Sequence, residues 1–132
     1  MGKLLISDYS VYAIRHTDEL KAKFQDGGKG VFIEKRRWVD GSKLFYKAKR
    51  EQKLMPVIFG RAEIDSSLIF YAMLESIQVD DEAQTTTYTF TGLTRIKKPL
   101  PLRTLIKKND GKPLSDDYIR SYVICRTPEF IK

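Results

Sequence analysis

Apolar and polar residues alternate over short stretches of this chain, the period-two pattern of strands with one buried face. Residues 55–64, MPVIFGRAEI, place Ile58, Gly60, Ala62 and Ile64 on one side and Val57, Phe59, Arg61 and Glu63 on the other. Gly60 has no side chain to pack, so it marks a bend, a bulge or the close approach of another group. Residues 67–79 (SLIFYAMLESIQV) and 85–96 (TTTYTFTGLTRI) are rich in β-branched and aromatic side chains, and the polar DDEAQ between them reads as the turn of a long hairpin. Residues 11–16 form a further expected strand. Thr17 can cap a short helix over 18–24, with Asp18 and Glu19 in its first turn and Leu20 and Phe24 on one face. Gly27 and Gly28 end it.

The other segments are less regular. Residues 30–38 (GVFIEKRRW) read as extended, with Phe32, Glu34, Arg36 and Trp38 on one face. Asp40-Gly41 is a tight-turn signal of hairpin type, after which residues 43–48 (KLFYKA) read as a strand and 49–53 as a charged loop. Pro99 and Pro101 lack the donor that a central strand needs, so residues 97–106 are expected to be an extended connector. Ser115 can cap a helical turn over 116–121, and residues 122–131 close the chain. These elements predict an α+β fold: a small, strongly curved or barrel-like mixed sheet of about five to seven strands, closed or nearly closed, with two or three short helices. At 132 residues, the span 1–132 reads as a single domain.

Composition narrows the chemistry. With 42% apolar and 11% aromatic residues the chain can bury a core, and no apolar run approaches a membrane span. The first ten residues lack the long apolar stretch of a secretory leader, so a cytoplasmic location without membrane contact is expected. Cys125 is the only cysteine and His16 the only histidine. That excludes an internal disulfide framework and cysteine-rich zinc sites, and it leaves His16 without a catalytic partner in sequence. Cys125 sits in an apolar run and reads as a small buried hydrophobe. No metal site, cofactor site or catalytic set emerges, and a binding domain is favoured over an enzyme.

The net charge of +7 is unevenly spread. Residues 35–61 hold nine Lys or Arg against Asp40 and Glu51, residues 63–82 hold six acids and no base, and residues 95–112 hold seven bases against Asp110. Such blocks imply basic faces and an acidic face on one folded body, and a basic face with aromatics favours a nucleic-acid partner, DNA or RNA. Lys35, Arg36 and Arg37, and also Lys97 and Lys98, are candidates to neutralise phosphates, against the alternative of a solvated charge run. Trp38 either stacks on a base or packs in the core. Tyr46 is the candidate ligand-facing ring of the Phe45-Tyr46 pair, with Lys47, Lys49 and Arg50 just beyond it. Phe59 beside Arg61 is a stacking platform if exposed and core if buried. Glu63, Asp65, Ser66 and Ser67 form a polar cluster that could face a base edge but more commonly means a turn.

One order of features resembles a known family. The segment Phe59-Gly60-Arg61-Ala62-Glu63, the proline-bearing Pro99-Leu100-Pro101-Leu102 and the terminal Glu129-Phe130 are similar to the PUA-like superfamily, especially its EVE, YTH and ASCH branches. The resemblance spans roughly residues 29–131 and its motifs are loose; Asp40-Gly41-Ser42 stands where a Gly-Asp turn would be expected. It implies a small barrel that binds nucleic acid or encloses one extruded, often modified, base between aromatic side chains. Some members are the DNA-recognition part of modification-dependent restriction systems, within larger proteins or complexes. The alternatives are a small ASCH-like hydrolase, for which Lys21, Lys23, Thr94 and Glu63 are available, and a basic protein-interaction domain.

Overall fold

The computed structural model describes residues 5–63, 65–115 and 122–131. The helical turn expected over 116–121 lies outside them, as does Ile64 at the end of an expected strand.

The two β-rich runs fold into the expected hairpin, β6 (Leu68–Asp80) and β7 (Thr85–Leu100). The Asp80 carboxylate accepts the amides of Glu82 and Ala83, each at 3.0 Å, and so closes the acidic turn. Around this hairpin stand β2 (Tyr9–Arg15), β3 (Gly30–Glu34), β5 (Pro56–Arg61) and β8 (Tyr122–Arg126) in the order β3-β7-β6-β5-β2-β8. β2 and β5 run parallel and the other pairs antiparallel, so the sheet is mixed. β1 (Leu5–Ile6) and β4 (Lys53–Leu54) form a separate short parallel pair. The helices are α1 (Thr17–Gln25) and α2 (Val39–Arg50), with a 3-10 turn at Leu102–Thr104. None of the described helices is long and apolar enough to cross a membrane.

Two expectations need correction here. Residues 43–48 are helix, not strand, and Asp40-Gly41 lies in the first turn of α2 rather than in a hairpin. Gly41, Phe45 and Ala48 recur at helical spacing and are the buried positions of α2. The side-by-side aromatics that suggested a strand instead divide between the core (Phe45) and a partly exposed flank (Tyr46, 39% exposed). The sheet is also open. With residues 43–48 helical, no strand among the described residues bridges its two edges: β3 has β7 as its one strand neighbour, and β8 has β2, with only a short bridge from residues 106–108 on its far side.

Alternation along each strand feeds two cores. Val11, Ala13, Val57 and Phe59 pack with Leu20 of α1, Phe45 and Ala48 of α2, and Trp38. Tyr12, Ile58 and Cys125 pack on the other side with Leu102, Leu105, Leu114 and Ile131. Burial pushes the Cys125 thiol up to about 12. The native protein is therefore expected to resist alkylation by iodoacetamide near pH 8, and to react once denaturant exposes the thiol. Rapid labelling of the native state would mean that β8 opens.

The expectation for Gly60 holds in two of its three forms, the bulge and the close approach. The β5–β6 register shifts between Phe59 and Gly60, and a Cβ at Gly60 would lie 2.5 Å from the Tyr12 hydroxyl and 2.7 Å from the Ser66 carbonyl oxygen. Because one of those atoms is backbone, Gly60→Ala is expected to lower stability by about 1–3 kcal/mol. A urea midpoint equal to wild type would show that the strand yields without cost.

A second irregularity aims side chains. Tyr88 and Phe90 of β7 face the helices, and so does Leu93, three residues on. Gly92, at φ +66°, supplies the extra bulge residue that flips the alternation. β7 then continues through Pro99, past the expected boundary at residue 97. It can do so because β3 pairs with β7 only as far as Phe90, so the outer edge beyond is free of the ladder that proline cannot join.

Candidate functional site

After the bulge at Gly92, β7 presents Arg95, Ile96, Lys97 and Pro99 to α1. α1 faces them with Thr17, Lys21, Phe24 and Gln25, spaced as one side of a helix. With Arg61 at the end of β5 and Ile69 and Phe70 at the start of β6, these residues line a cleft of about 460 Å³. Its floor is apolar. Phe70 is buried, and the half-exposed Phe24 ring rests against it with centroids 5.5 Å apart and planes tilted by 53°. Its rim is cationic. Lys21, Arg95 and Lys97 are exposed and have no ion-pair partner among the described residues. Arg61 is held in place, donating to both carboxylate oxygens of Asp65 at 2.9 and 3.2 Å. That guanidinium holds the Asp65 carboxyl well below the usual carboxylate range.

The entrance to α1 is fixed by Glu63. Its carboxylate accepts the Thr17 amide, and the Thr17 hydroxyl at 2.7 Å. These donors, chiefly the Thr17 side chain, hold the Glu63 carboxyl down to about 2. The charge sits at a helix N-terminus, where an anion is favoured. Glu19 accepts the His16 amide at 3.3 Å, so His16 rather than Thr17 precedes the helix, and Thr17 is its first residue.

The structure divides the residues singled out from sequence among several places. Arg61 and Lys97 line the cleft, and Lys98 is exposed outside its lining. Arg36 and Arg37 line a second, more open cleft of about 660 Å³ with Lys43, Lys108 and Tyr122. The loop carrying them is tied to β7, because Thr86 accepts the Trp38 amide at 2.8 Å and donates to the Arg36 carbonyl at 2.6 Å. Arg37 pairs with Asp81 at 3.0 Å. Lys35 is exposed, and Lys47, Lys49 and Arg50 are exposed on α2.

Three aromatic candidates do not reach a basic surface. Trp38 and Phe59 are fully buried. Trp38 is sandwiched between Tyr88 (4.5 Å) and Tyr122 (4.8 Å), and Phe59 meets Phe32 and Phe90 edge-on. For both, the core alternative is the one the structure adopts. Tyr46 donates its hydroxyl to the Ile77 carbonyl at 2.8 Å and lies beside Asp80, Asp81 and Glu82, on acidic ground. The ring that sequence reasoning passed over is Phe24. Its spacing from Thr17 and Lys21 was the available signal, but pairing it with Leu20 made it look like core. Among the described residues no group of three or more His, Cys, Asp or Glu could hold a metal ion. No protein-family model matches the chain, and no curated protein sequence matches it.

Proposed function

We propose that this protein binds nucleic acid, DNA or RNA, and receives one unstacked base in the cleft between α1 and β7. The observation that carries the reading is an exposed phenyl ring on an apolar floor, ringed by cations with no partner of their own. Phe24 would stack on the base, while Lys21, Arg95 and Lys97 hold the flanking phosphates. Ile69, Ile96 and Pro99 offer apolar contact for a base methyl group, worth about 0.8 kcal/mol. The PUA-like resemblance supports the same reading, since members of that family hold one extruded base in a pocket enclosed by aromatic side chains. Arg36, Arg37, Lys43 and Lys108 would extend the backbone path along the second cleft.

The hydrolase alternative is weaker on chemical grounds. A carboxylate held near 2 is a poor base at neutral pH, and Thr17 already occupies both oxygens of Glu63. Glu63 reads as the anchor of α1.

The test is a binding series with single-stranded and duplex oligonucleotides between about 50 and 200 mM salt. Phe24→Ala is expected to weaken single-strand binding by about 1–3 kcal/mol. Because Phe24 is 45% exposed, the melting temperature should change little. Wild-type affinity in that variant would remove the base from the cleft.

A further inference from the structure

We infer that the outer edge of β3 is a docking strand for an extended, acidic segment of another protein, which adds to the sheet beside it. The inference does not rest on the cleft between α1 and β7, although Lys35 and Arg36 figure in both readings.

β3 ends the sheet, and its only partner among the described residues is β7. An edge strand presents unpaired amides and carbonyls, and stable proteins usually blunt such an edge with charges or proline. β3 does the opposite along its length. Val31 is 49% exposed and Ile33 62% exposed, while Phe32 between them is buried. No residue of β3 and no side chain of 85–93 belongs to the second core, so among the described residues that core does not extend over this end of the sheet face. Beside the edge runs a groove of about 460 Å³ between β3 and α1, lined by Ala22, Lys23, Val31, Phe32 and Ile33 together with the paired Arg15 and Glu19. An added strand would gain main-chain bonds from the edge and side-chain contact from the groove, the combination by which strand addition achieves affinity and selectivity.

Charge selects the occupant. Lys29 precedes the strand and Lys35 and Arg36 follow it, all exposed and none ion-paired among the described residues. Arg15 is shared by Glu34 at 3.0 Å and Glu19 at 3.3 Å, so this cluster offsets one of the three cations and leaves the edge positive. A second copy of this chain is disfavoured. Antiparallel pairing about Phe32 would set Lys29 directly against Lys35 at both ends, and like charges opposite one another destabilise a ladder. A segment with apolar residues facing Val31 and Ile33 and acids at its ends meets neither objection.

The probes are capped decapeptides alternating Glu with Val, the same peptide with Lys for Glu, and the Glu peptide N-methylated at every amide. They are titrated into the full chain by fluorescence anisotropy, with amide hydrogen exchange read at residues 30–34. The Glu peptide is expected to bind at least about tenfold more tightly than either control and to slow exchange in β3. Ile33→Asp should abolish that preference without shifting the melting temperature. Equal binding of the Glu and Lys peptides would overturn the inference, as would binding that survives N-methylation. So would a dimer in sedimentation that Ile33→Asp dissolves, which would give the edge to a second copy.

Discussion

Trp38→Ala is expected to remove about 3–5 kcal/mol of stability, a large share of what a domain of this size possesses. The indole is fully buried, and it lies almost parallel to the Tyr122 ring, at 9°, and close to parallel to Tyr88, at 21°. Removing it opens a cavity between two rings that belong to different strands, β7 and β8, and that have no other group to close on. The loss should appear as a lower urea midpoint and melting temperature, with nucleic-acid affinity of the folded fraction unchanged. Trp38→Phe should cost much less. It keeps one ring in the stack and deletes an indole N–H that is buried without a hydrogen-bond partner. A Trp38→Ala variant as stable as wild type but defective in binding would return Trp38 to the ligand.

The second large effect concerns charge. Replacing Lys21, Arg95 and Lys97 together by Ala is expected to weaken single-strand binding by about a hundredfold or more at low salt. The slope of log affinity against log salt should fall by about two units, at roughly 0.7 per lost phosphate contact. Stability should hold or rise slightly, since none of the three is ion-paired and their mutual repulsion is relieved. The comparison with Lys35, Arg36 and Arg37 replaced by Ala is informative. Arg37 already spends its charge on Asp81, so that variant should lose less affinity and less slope. If the cleft variant keeps wild-type slope while the loop variant loses it, the binding surface is the second cleft.

Local chemistry alone determined much of this protein. The β-branched hairpin, its acidic turn, the short first helix, the bulge at Gly60 and the burial of Cys125 are legible because each rests on neighbours in sequence. So is the division into basic and acidic blocks, since charge is carried by composition whatever the fold. Residues 43–48 were misread because Leu44, Phe45 and Tyr46 satisfy a strand as well as a helix over so short a run. Burial of Gly41, Phe45 and Ala48 against the sheet, a long-range contact, decided for helix. Closure failed for the same reason, with no strand there to join the edges. The site was hidden at two points. Trp38 beside three cations suggests a platform, but its neighbours in space are Tyr88 and Tyr122, far away in sequence. Arg95 faces α1 because Gly92 adopts a left-handed conformation and shifts the register of β7, and a further register shift follows between Arg95 and Leu100, where Ile96, Lys97 and Pro99 all line the cleft. Period two read along the chain points Arg95 the other way. Sequence thus specified which charges and rings were available, and the tertiary fold decided which of them share a cleft, because each inserted residue in a strand turns the side chains that follow it to the opposite face until the next irregularity.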